Sequence, residues 1–200
     1  IPGGGIYFSA LGDYLADVTN RFAGIFFVAP GAVRMENMLL SWMAGIVGYP
    51  KEAAGNLTSG GSIGNLIGIV SARDALGLKA KDFEKSVIYL TSQVHHSVDK
   101  AIRIAGLKEC VLRYVPMDER YRMDTVALEK AIINDKKSGL NPFLIIASAG
   151  TTDTGAVDPM ETIGEIAEQH QLWFHIDGAY GAFFALCDEG KKILNGMDKS

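Results

Sequence analysis

Short apolar runs alternate with amphipathic stretches along most of the chain, and each pattern predicts one type of element. Mainly apolar runs predict strands over residues 86–90, 109–115, 143–147 and 172–176. Apolar residues at helical spacing predict helices over residues 66–73, 97–105, 124–136 and 159–170. Asp124 is the predicted N-cap of the third of these helices. Strands that alternate with helices favour a mostly parallel sheet with helices on both faces, so we expect a three-layer α/β fold.

The first fifty residues show a different pattern. Residues 1–12 are rich in glycine, which predicts a loop. Apolar residues at helical spacing then predict a short helix over residues 13–21 and a strong amphipathic helix over residues 35–47. We expect residues 1–50 to form a separate N-terminal segment and residues 51–200 to form one large domain.

The composition excludes several classes of protein. With 200 residues, 48% of them hydrophobic and 21% charged, the chain has the composition of a globular domain with one sizeable core. The net charge of −4 and the absence of a basic stripe argue against nucleic acid as a main partner. The apolar runs are shorter than the roughly 20 residues that a membrane span needs, so we expect no membrane partner. Two cysteines cannot form a disulfide framework, and they favour a reducing, cytoplasmic environment.

One acidic residue stands at the end of the last predicted strand. The apolar run 172–176 leads directly into Asp177, and small residues follow it. A strand of this kind delivers one carboxylate to the edge of a parallel sheet, where ligands bind. A buried carboxylate is costly unless a cation or a hydrogen-bond donor meets it. We therefore expect Asp177 to face a partner of that kind.

A glycine-rich stretch precedes the first helix of the large domain. Residues 58–62 read Thr-Ser-Gly-Gly-Ser and lead into the apolar helix. Glycines expose backbone N–H groups, and a helix N-terminus adds partial positive charge, so the stretch can cradle a phosphate with the Ser62 hydroxyl as a further donor. It lacks the Gly-Lys-Ser/Thr of a Walker motif. A plain glycine-rich turn with a serine N-cap explains the stretch equally well.

Two further loops follow predicted strands. His95 and His96 follow the strand at 86–90, and the Thr-rich loop 148–159 follows the strand at 143–147. The carboxyl ends of parallel strands share one edge of the sheet, which places both loops near Asp177. A histidine in such a loop is more often structural than catalytic. A zinc site has weak support, because no third ligand at metal spacing lies nearby.

Together these features suit a ligand with a phosphate at one end, a flat ring, and a ring nitrogen that can pair with a carboxylate. Pyridoxal phosphate has those parts. Asp177 against the pyridine nitrogen would keep that nitrogen protonated, and a protonated ring is the better electron sink. An imidazole can stack on the ring face.

Several ordered motifs resemble one enzyme family. They are the cradle 58–62 with Asn65 after it, Gln93-Val-His-His-Ser97, the Gly-Thr-Thr loop with Gly-Ala-Val-Asp over 150–158, His175-Ile-Asp-Gly-Ala-Tyr-Gly181, and the segment 29–38. In this order they resemble the pyridoxal-phosphate-dependent group II amino acid decarboxylases, the aromatic-L-amino-acid and glutamate decarboxylase group of fold type I. The resemblance runs along nearly the whole chain.

The resemblance implies a role for each matching residue. Gly61 and Ser62 would bind the phosphate. His95 would stack on the pyridine ring and assist proton transfer. Thr152 would lie beside the ring, and Asp177 would pair with its nitrogen.

Two less central roles also follow from the resemblance. Ala179 would pack on the other ring face, and Tyr7 would reach the substrate pocket. The family's homodimers imply that residues 1–50 contact a partner subunit.

One family motif is missing. The Schiff-base lysine of the family lies in an Asp-x-His-Lys-type motif, which these 200 residues do not contain. Lys191, Lys192 and Lys199 stand in other contexts. The chain also begins at Ile1 rather than Met, so we expect a fragment with an incomplete cofactor domain that is inactive by itself.

The resemblance implies an activity for the full-length enzyme, the decarboxylation of an L-amino acid to its amine and CO2. Another fold type I enzyme (a lyase, desulfurase or aminotransferase) is the nearest alternative. A non-catalytic fragment with a structural or dimerising role is a second. A metal-dependent hydrolase is a third; it would use His95, His96, His175 and Asp177, and it leaves the cradle at 58–62 without a purpose.

Overall fold

The computed structural model describes residues 5–200, so the first four residues of the predicted N-terminal loop lie outside it. The chain divides into two compact units, residues 1–57 and residues 58–200. Each unit is described by itself. Within residues 5–200, no helix is both long enough and apolar enough to cross a membrane.

Within its described residues, 5–57, the first unit contains two helices, α1 (Tyr7–Thr19) and α2 (Pro30–Val47). The prediction of a loop up to residue 12 is wrong from Tyr7 onward. Phe8 and Leu11 continue the spacing of the apolar residues in the predicted helix, so the amphipathic pattern begins a turn and a half earlier than the glycines suggested. The second predicted helix is confirmed, but it begins at Pro30, a residue that suits the first turn of a helix.

Apolar side chains of this first unit are widely exposed. Every residue of α1 is exposed, and α2 contains no fully buried residue. Phe8 is 78% exposed and Phe27 is 92% exposed. Ala29 is the single buried residue of this unit within the described part of the chain. The unit therefore presents a large apolar surface.

The second unit is built on a parallel sheet of four strands in the order β2-β1-β3-β4. Its strands are β1 (Ser86–Leu90), β2 (Val111–Tyr114), β3 (Asn141–Ser148) and β4 (Trp173–Asp177). Its α-helices are α3 (Gly61–Ala75), α4 (Ser97–Ile104), α5 (Thr125–Lys137), α6 (Met160–His170) and α7 (Asp188–Ile193). Short 3₁₀ helices span Ala80–Lys85, Ala182–Leu186 and Met197–Lys199. The predicted α/β class, the parallel sheet and all four strands are confirmed.

Helices cover both faces of this sheet. On one face α3 and α4 pack against each other and share an apolar cluster with Ile88 and Ile146. On the other face α5 contacts β3 and α6, and the Tyr89 hydroxyl reaches Asp135 of α5. The alternation along β1 follows from the two-residue period of a strand, which sends neighbouring side chains to opposite faces. The predicted three layers are therefore present.

The strand order fixes where a ligand can enter. From β1 the chain first adds β2 on one side and then crosses to add β3 on the other side. The connections therefore diverge at the carboxyl ends of β1 and β3, and a crevice opens at such a point in an α/β sheet. The loop after β4 joins this edge, because β4 pairs with β3 up to Asp177.

Candidate functional site

A cavity of about 250 Å³ lies at this carboxyl edge, and its lining comes entirely from the second unit. It is formed by the start of α3 and by the loops after β1, β3 and β4. The lining includes six residues that the sequence predicts to be site residues: Gly61, Ser62, His95, Thr152, Asp177 and Ala179. Segments that are more than a hundred residues apart in sequence thus meet around one cavity.

The N-terminus of α3 faces this cavity with its first turn. The helix begins at Gly61, and the preceding Gly60 has a φ of 150°, which favours glycine. A Cβ atom added at Gly61 would lie 3.1 Å from the Cβ of Ala179, so the absence of a side chain keeps the entrance to the first turn open. Within this turn no acidic residue opposes the partial positive charge of the helix end. These features support the predicted anion cradle.

Asp177 ends β4 and points its carboxylate into the cavity wall. Its Oδ2 accepts a hydrogen bond from Asn65 Nδ2 at 2.9 Å, and its Oδ1 accepts one from the backbone N–H of Ala179 at 3.1 Å. No ion pair involves Asp177 within the described part of the chain. The carboxylate is therefore oriented by neutral donors, which leaves its charge available to a cationic group of a ligand.

His175 lies two residues before Asp177, on the same face of β4. Its Nε2 is 2.8 Å from Asn65 Oδ1. Burial lowers the pKa of His175, and the nearby Asp177 carboxylate opposes that shift. A Cβ atom on Gly68 would lie 2.5 Å from Nδ1 of this ring. The ring can therefore pack against α3 only because residue 68 is glycine. The lowered pKa favours the neutral imidazole, and the hydrogen bond to Asn65 suits a supporting role.

His95 follows β1 and reaches the cavity beside α4. Its Nδ1 lies 2.7 Å from Ser97 Oγ and accepts the backbone N–H of Ser97 at 3.3 Å. Its ring centroid is 4.0 Å from that of His96, which is exposed and does not line the cavity. Of the two adjacent histidines, His95 is therefore the one that can contact a ligand.

The loop after β3 is held by hydrogen bonds from residues that the sequence does not single out. The Thr151 hydroxyl is 2.7 Å from the Thr154 hydroxyl. Of the two threonines that line the cavity, Thr151 is buried and Thr152 is exposed. Asp158 accepts the N–H of Met123 at 2.7 Å and the N–H of Ser148 at 2.8 Å. This buried carboxylate therefore ties the end of the loop to the end of β3.

The sequence interpretation misses several lining residues: Asn65, Ser97, Ser148, Gly150, Thr151 and Tyr180. One signal was available for Asn65. It lies four residues after Gly61 and three before Gly68, a spacing that places all three on one face of α3. The predicted substrate residue, Tyr7, belongs to the first unit as the first residue of α1, and its role stays a prediction.

The geometry does not support the metal-dependent hydrolase. Among residues 5–200, no three histidine, cysteine, aspartate or glutamate side chains are grouped as ligands of a metal ion would be. The His175 ring is hydrogen-bonded to Asn65, and the His95 ring is hydrogen-bonded to Ser97. None of the described residues that line the cavity is a lysine.

Comparisons with known proteins agree with this geometry. The sequence model of the pyridoxal-dependent decarboxylase conserved domain matches residues 1–200. An aromatic-L-amino-acid decarboxylase of Bacillus atrophaeus is 34% identical over 200 residues, which is all of this chain and 41% of that protein. This chain thus spans about two fifths of that relative's length.

Solved structures show the same architecture. The glutamate decarboxylase domain of diaminobutyrate-pyruvate transaminase and L-2,4-diaminobutyrate decarboxylase from Vibrio parahaemolyticus has a TM-score of 0.92 at 28% identity, with 98% of this chain and 45% of that one covered. Oryza sativa TDC, solved with PLP and tryptamine, has a TM-score of 0.88 at 27% identity, with 99% and 45% covered. The match over the whole chain, taken with the shared fold, shows that this chain belongs to the pyridoxal-dependent decarboxylase family.

Proposed function

We propose that this chain binds pyridoxal 5'-phosphate in the cavity, and that the full-length protein decarboxylates an L-amino acid to its amine and CO2. One observation carries the proposal. The Asp177 carboxylate has no ion-pair partner among the described residues and shares one cavity with the N-terminus of α3. A ligand with a phosphate and a protonated ring nitrogen fits both groups at once. Family membership supports the same reaction class.

The residues present fit this cofactor. The open first turn of α3, with Ser62, would bind the phosphate through N–H and hydroxyl donors. Asp177 would hold a proton on the pyridine nitrogen by a charge-assisted hydrogen bond. His95 and Ala179 both line the cavity and would contact the ring faces, with Thr152 beside them. When bound, pyridoxal phosphate supplies the electron sink that makes loss of CO2 from an amino acid feasible.

The protein residues would mainly orient the cofactor and stabilise its charge electrostatically. Asp177 acts in a partly enclosed site, where a fixed charge has a larger effect than it has in water. Asn65 and the N–H of Ala179 fix both carboxylate oxygens before a ligand arrives. The site therefore needs little reorganisation when the cofactor binds.

A cofactor titration tests this proposal. The protein is titrated with pyridoxal phosphate, and binding is followed by absorbance for the wild type, Asp177→Asn and Asp153→Asn. Loss of a hydrogen bond to a charged group costs about 1.5–3 kcal/mol, so Asp177→Asn should bind roughly 10- to 100-fold more weakly. Asp153 is an exposed carboxylate in the loop after β3, and its variant should bind like the wild type. Equal binding by Asp177→Asn would contradict the assigned role.

Substrate and products are tested separately. Release of CO2 by the full-length protein from aromatic or acidic L-amino acids, together with identification of the amine, would establish the decarboxylation. An aldehyde or keto product would instead indicate another fold type I reaction.

We also propose that the protein is a homodimer and that it is cytoplasmic. The exposed apolar side chains of α1 and α2 support the dimer, because monomeric proteins rarely expose large contiguous apolar patches. The two free cysteines, Cys110 and Cys187, support a reducing compartment. Sedimentation equilibrium tests the first proposal through the mass of the particle, and cell fractionation tests the second.

A further inference from the structure

We infer that Asn65 is a positioning residue that orients Asp177 and fixes the tautomers of two histidines, so that His175 and His95 both carry their hydrogen on Nε2. This inference rests on the proposed function, because it assigns a supporting role around the same cofactor site. It is carried by hydrogen bonds that meet at one buried amide, whose residue is 4% exposed.

The orientation of the Asn65 amide follows from its neighbours. One side of the amide faces Asp177 Oδ2 at 2.9 Å and Ser97 Oγ at 3.0 Å. The other side faces His175 Nε2 at 2.8 Å. If the amide were rotated by half a turn, its oxygen would face the carboxylate, and two acceptors would meet without a hydrogen between them. The NH2 group must therefore donate one hydrogen to Asp177 and the other to Ser97.

The tautomer of His175 follows from this orientation. The Asn65 oxygen can only accept, so His175 Nε2 must donate. Burial lowers the pKa of His175 and so favours the neutral imidazole. In a neutral ring whose one hydrogen is on Nε2, Nδ1 is bare. The close approach of Nδ1 to Gly68 fits this assignment, since no hydrogen-bond partner of Nδ1 lies among the described residues.

A second branch of the network reaches His95. Ser97 Oγ accepts from Asn65, so its own hydrogen is free to point towards His95 Nδ1 at 2.7 Å. The backbone N–H of Ser97 also points at Nδ1, at 3.3 Å. Two donors at one nitrogen make Nδ1 an acceptor, so a neutral His95 carries its hydrogen on Nε2. One amide thus links the Asp177 carboxylate, which would pair with the pyridine nitrogen of the cofactor, to the His95 imidazole, which would contact the face of that ring.

Nitrogen-15 NMR of the histidine rings tests the inference directly. The protein is labelled with 15N-histidine, and its four rings are assigned by single substitutions. At a pH at which both rings are neutral, His175 and His95 should each show the Nε2–H pattern. In Asn65→Leu the signals of both rings should move, whereas in Ser97→Ala only those of His95 should move. Tyr89→Phe removes another buried hydrogen bond, to Asp135, and should leave both rings unchanged.

Cofactor binding supplies a second readout. Asn65→Leu should bind pyridoxal phosphate about 2- to 10-fold more weakly, because an Asp177 carboxylate with one donor instead of two must be ordered when the cofactor binds. An Nδ1–H pattern for either ring in the wild type, or unchanged ring signals in Asn65→Leu, would overturn the inference. If Asn65→Leu fails to fold, the tautomers of the wild type and the His95 signals of Ser97→Ala still test the inference.

The two proposals fail in different ways. A wild type with the expected tautomers that does not bind pyridoxal phosphate overturns the proposed function and leaves the Asn65 network standing. Normal binding that Asn65→Leu does not weaken overturns the positioning role and leaves the function standing.

Discussion

Asp158→Asn should destabilise the protein although the change removes a buried negative charge. Asp158 is 4% exposed, and its two oxygens each accept a backbone N–H, from Met123 at 2.7 Å and from Ser148 at 2.8 Å. An asparagine has one oxygen, so its NH2 group would face the other N–H. A buried N–H without a partner costs about 1–3 kcal/mol, and we expect a loss of that size.

Urea denaturation measures the loss, and hydrogen exchange locates it. The amides of Met123 and Ser148 should exchange faster in Asp158→Asn than in the wild type, because both lose their fixed acceptor. The exposed Asp153→Asn variant should stay within about 0.5 kcal/mol of the wild type. Equal stability of Asp158→Asn, with both amides still protected, would refute the reasoning.

The pH dependence of this difference has a definite sign. Burial raises the pKa of Asp158 above its ordinary value of 3.8, although its two N–H donors oppose the shift. A group with a raised folded pKa binds its proton more tightly in the folded state, so its contribution to stability falls as pH rises through the window just above 3.8. The advantage of wild type over Asp158→Asn should therefore be larger near pH 4 than at pH 7. An advantage that grows with pH would mean that the N–H donors dominate.

Two further predictions concern packing around the site and a buried network outside it. Gly68→Ala should destabilise by about 1–3 kcal/mol and weaken cofactor binding, because its Cβ would lie 2.5 Å from His175 Nδ1. Gly64→Ala on the same helix meets only ordinary contacts and should be neutral or stabilising by up to about 1 kcal/mol, as urea denaturation would show. Tyr89→Phe should cost about 1–2 kcal/mol of unfolding free energy, because the buried hydroxyl donates to Asp135 at 2.9 Å, and it should leave cofactor binding unchanged.

The strands were the most predictable part of the fold. The run at 86–90 matches β1 at both ends. All five of its residues are buried, so its apolar character marks the strand without reference to the rest of the fold. The start of α3 was less visible. Glycine and serine have low helix propensity, so the sequence places the helix at Leu66, whereas the structure begins it at Gly61. That difference matters, since the extra turn is the one that faces the cavity.

The site was predictable where position along a strand decides it. Asp177 and His95 could be found because strand ends meet at one edge of a parallel sheet. Asn65 acts through partners 32 to 112 residues away, so its role depends on how α3 packs against α4 and β4. The local spacing indicates which face of α3 carries Asn65, but it does not identify the partners, which only the folded arrangement brings together.

The charge distribution of the cavity explains why a ligand would bind in one orientation. The N-terminus of α3 contributes partial positive charge at one wall, and Asp177 contributes a full negative charge at another. A reversed ligand would place a phosphate against the carboxylate, and two like charges at about 4 Å repel by roughly 4 kcal/mol at a dielectric constant of about 20. Such a repulsion corresponds to a preference of nearly a thousandfold for the orientation with the phosphate at α3. The charges that β4 and α3 hold in place would therefore select the position of the cofactor ring in the cavity.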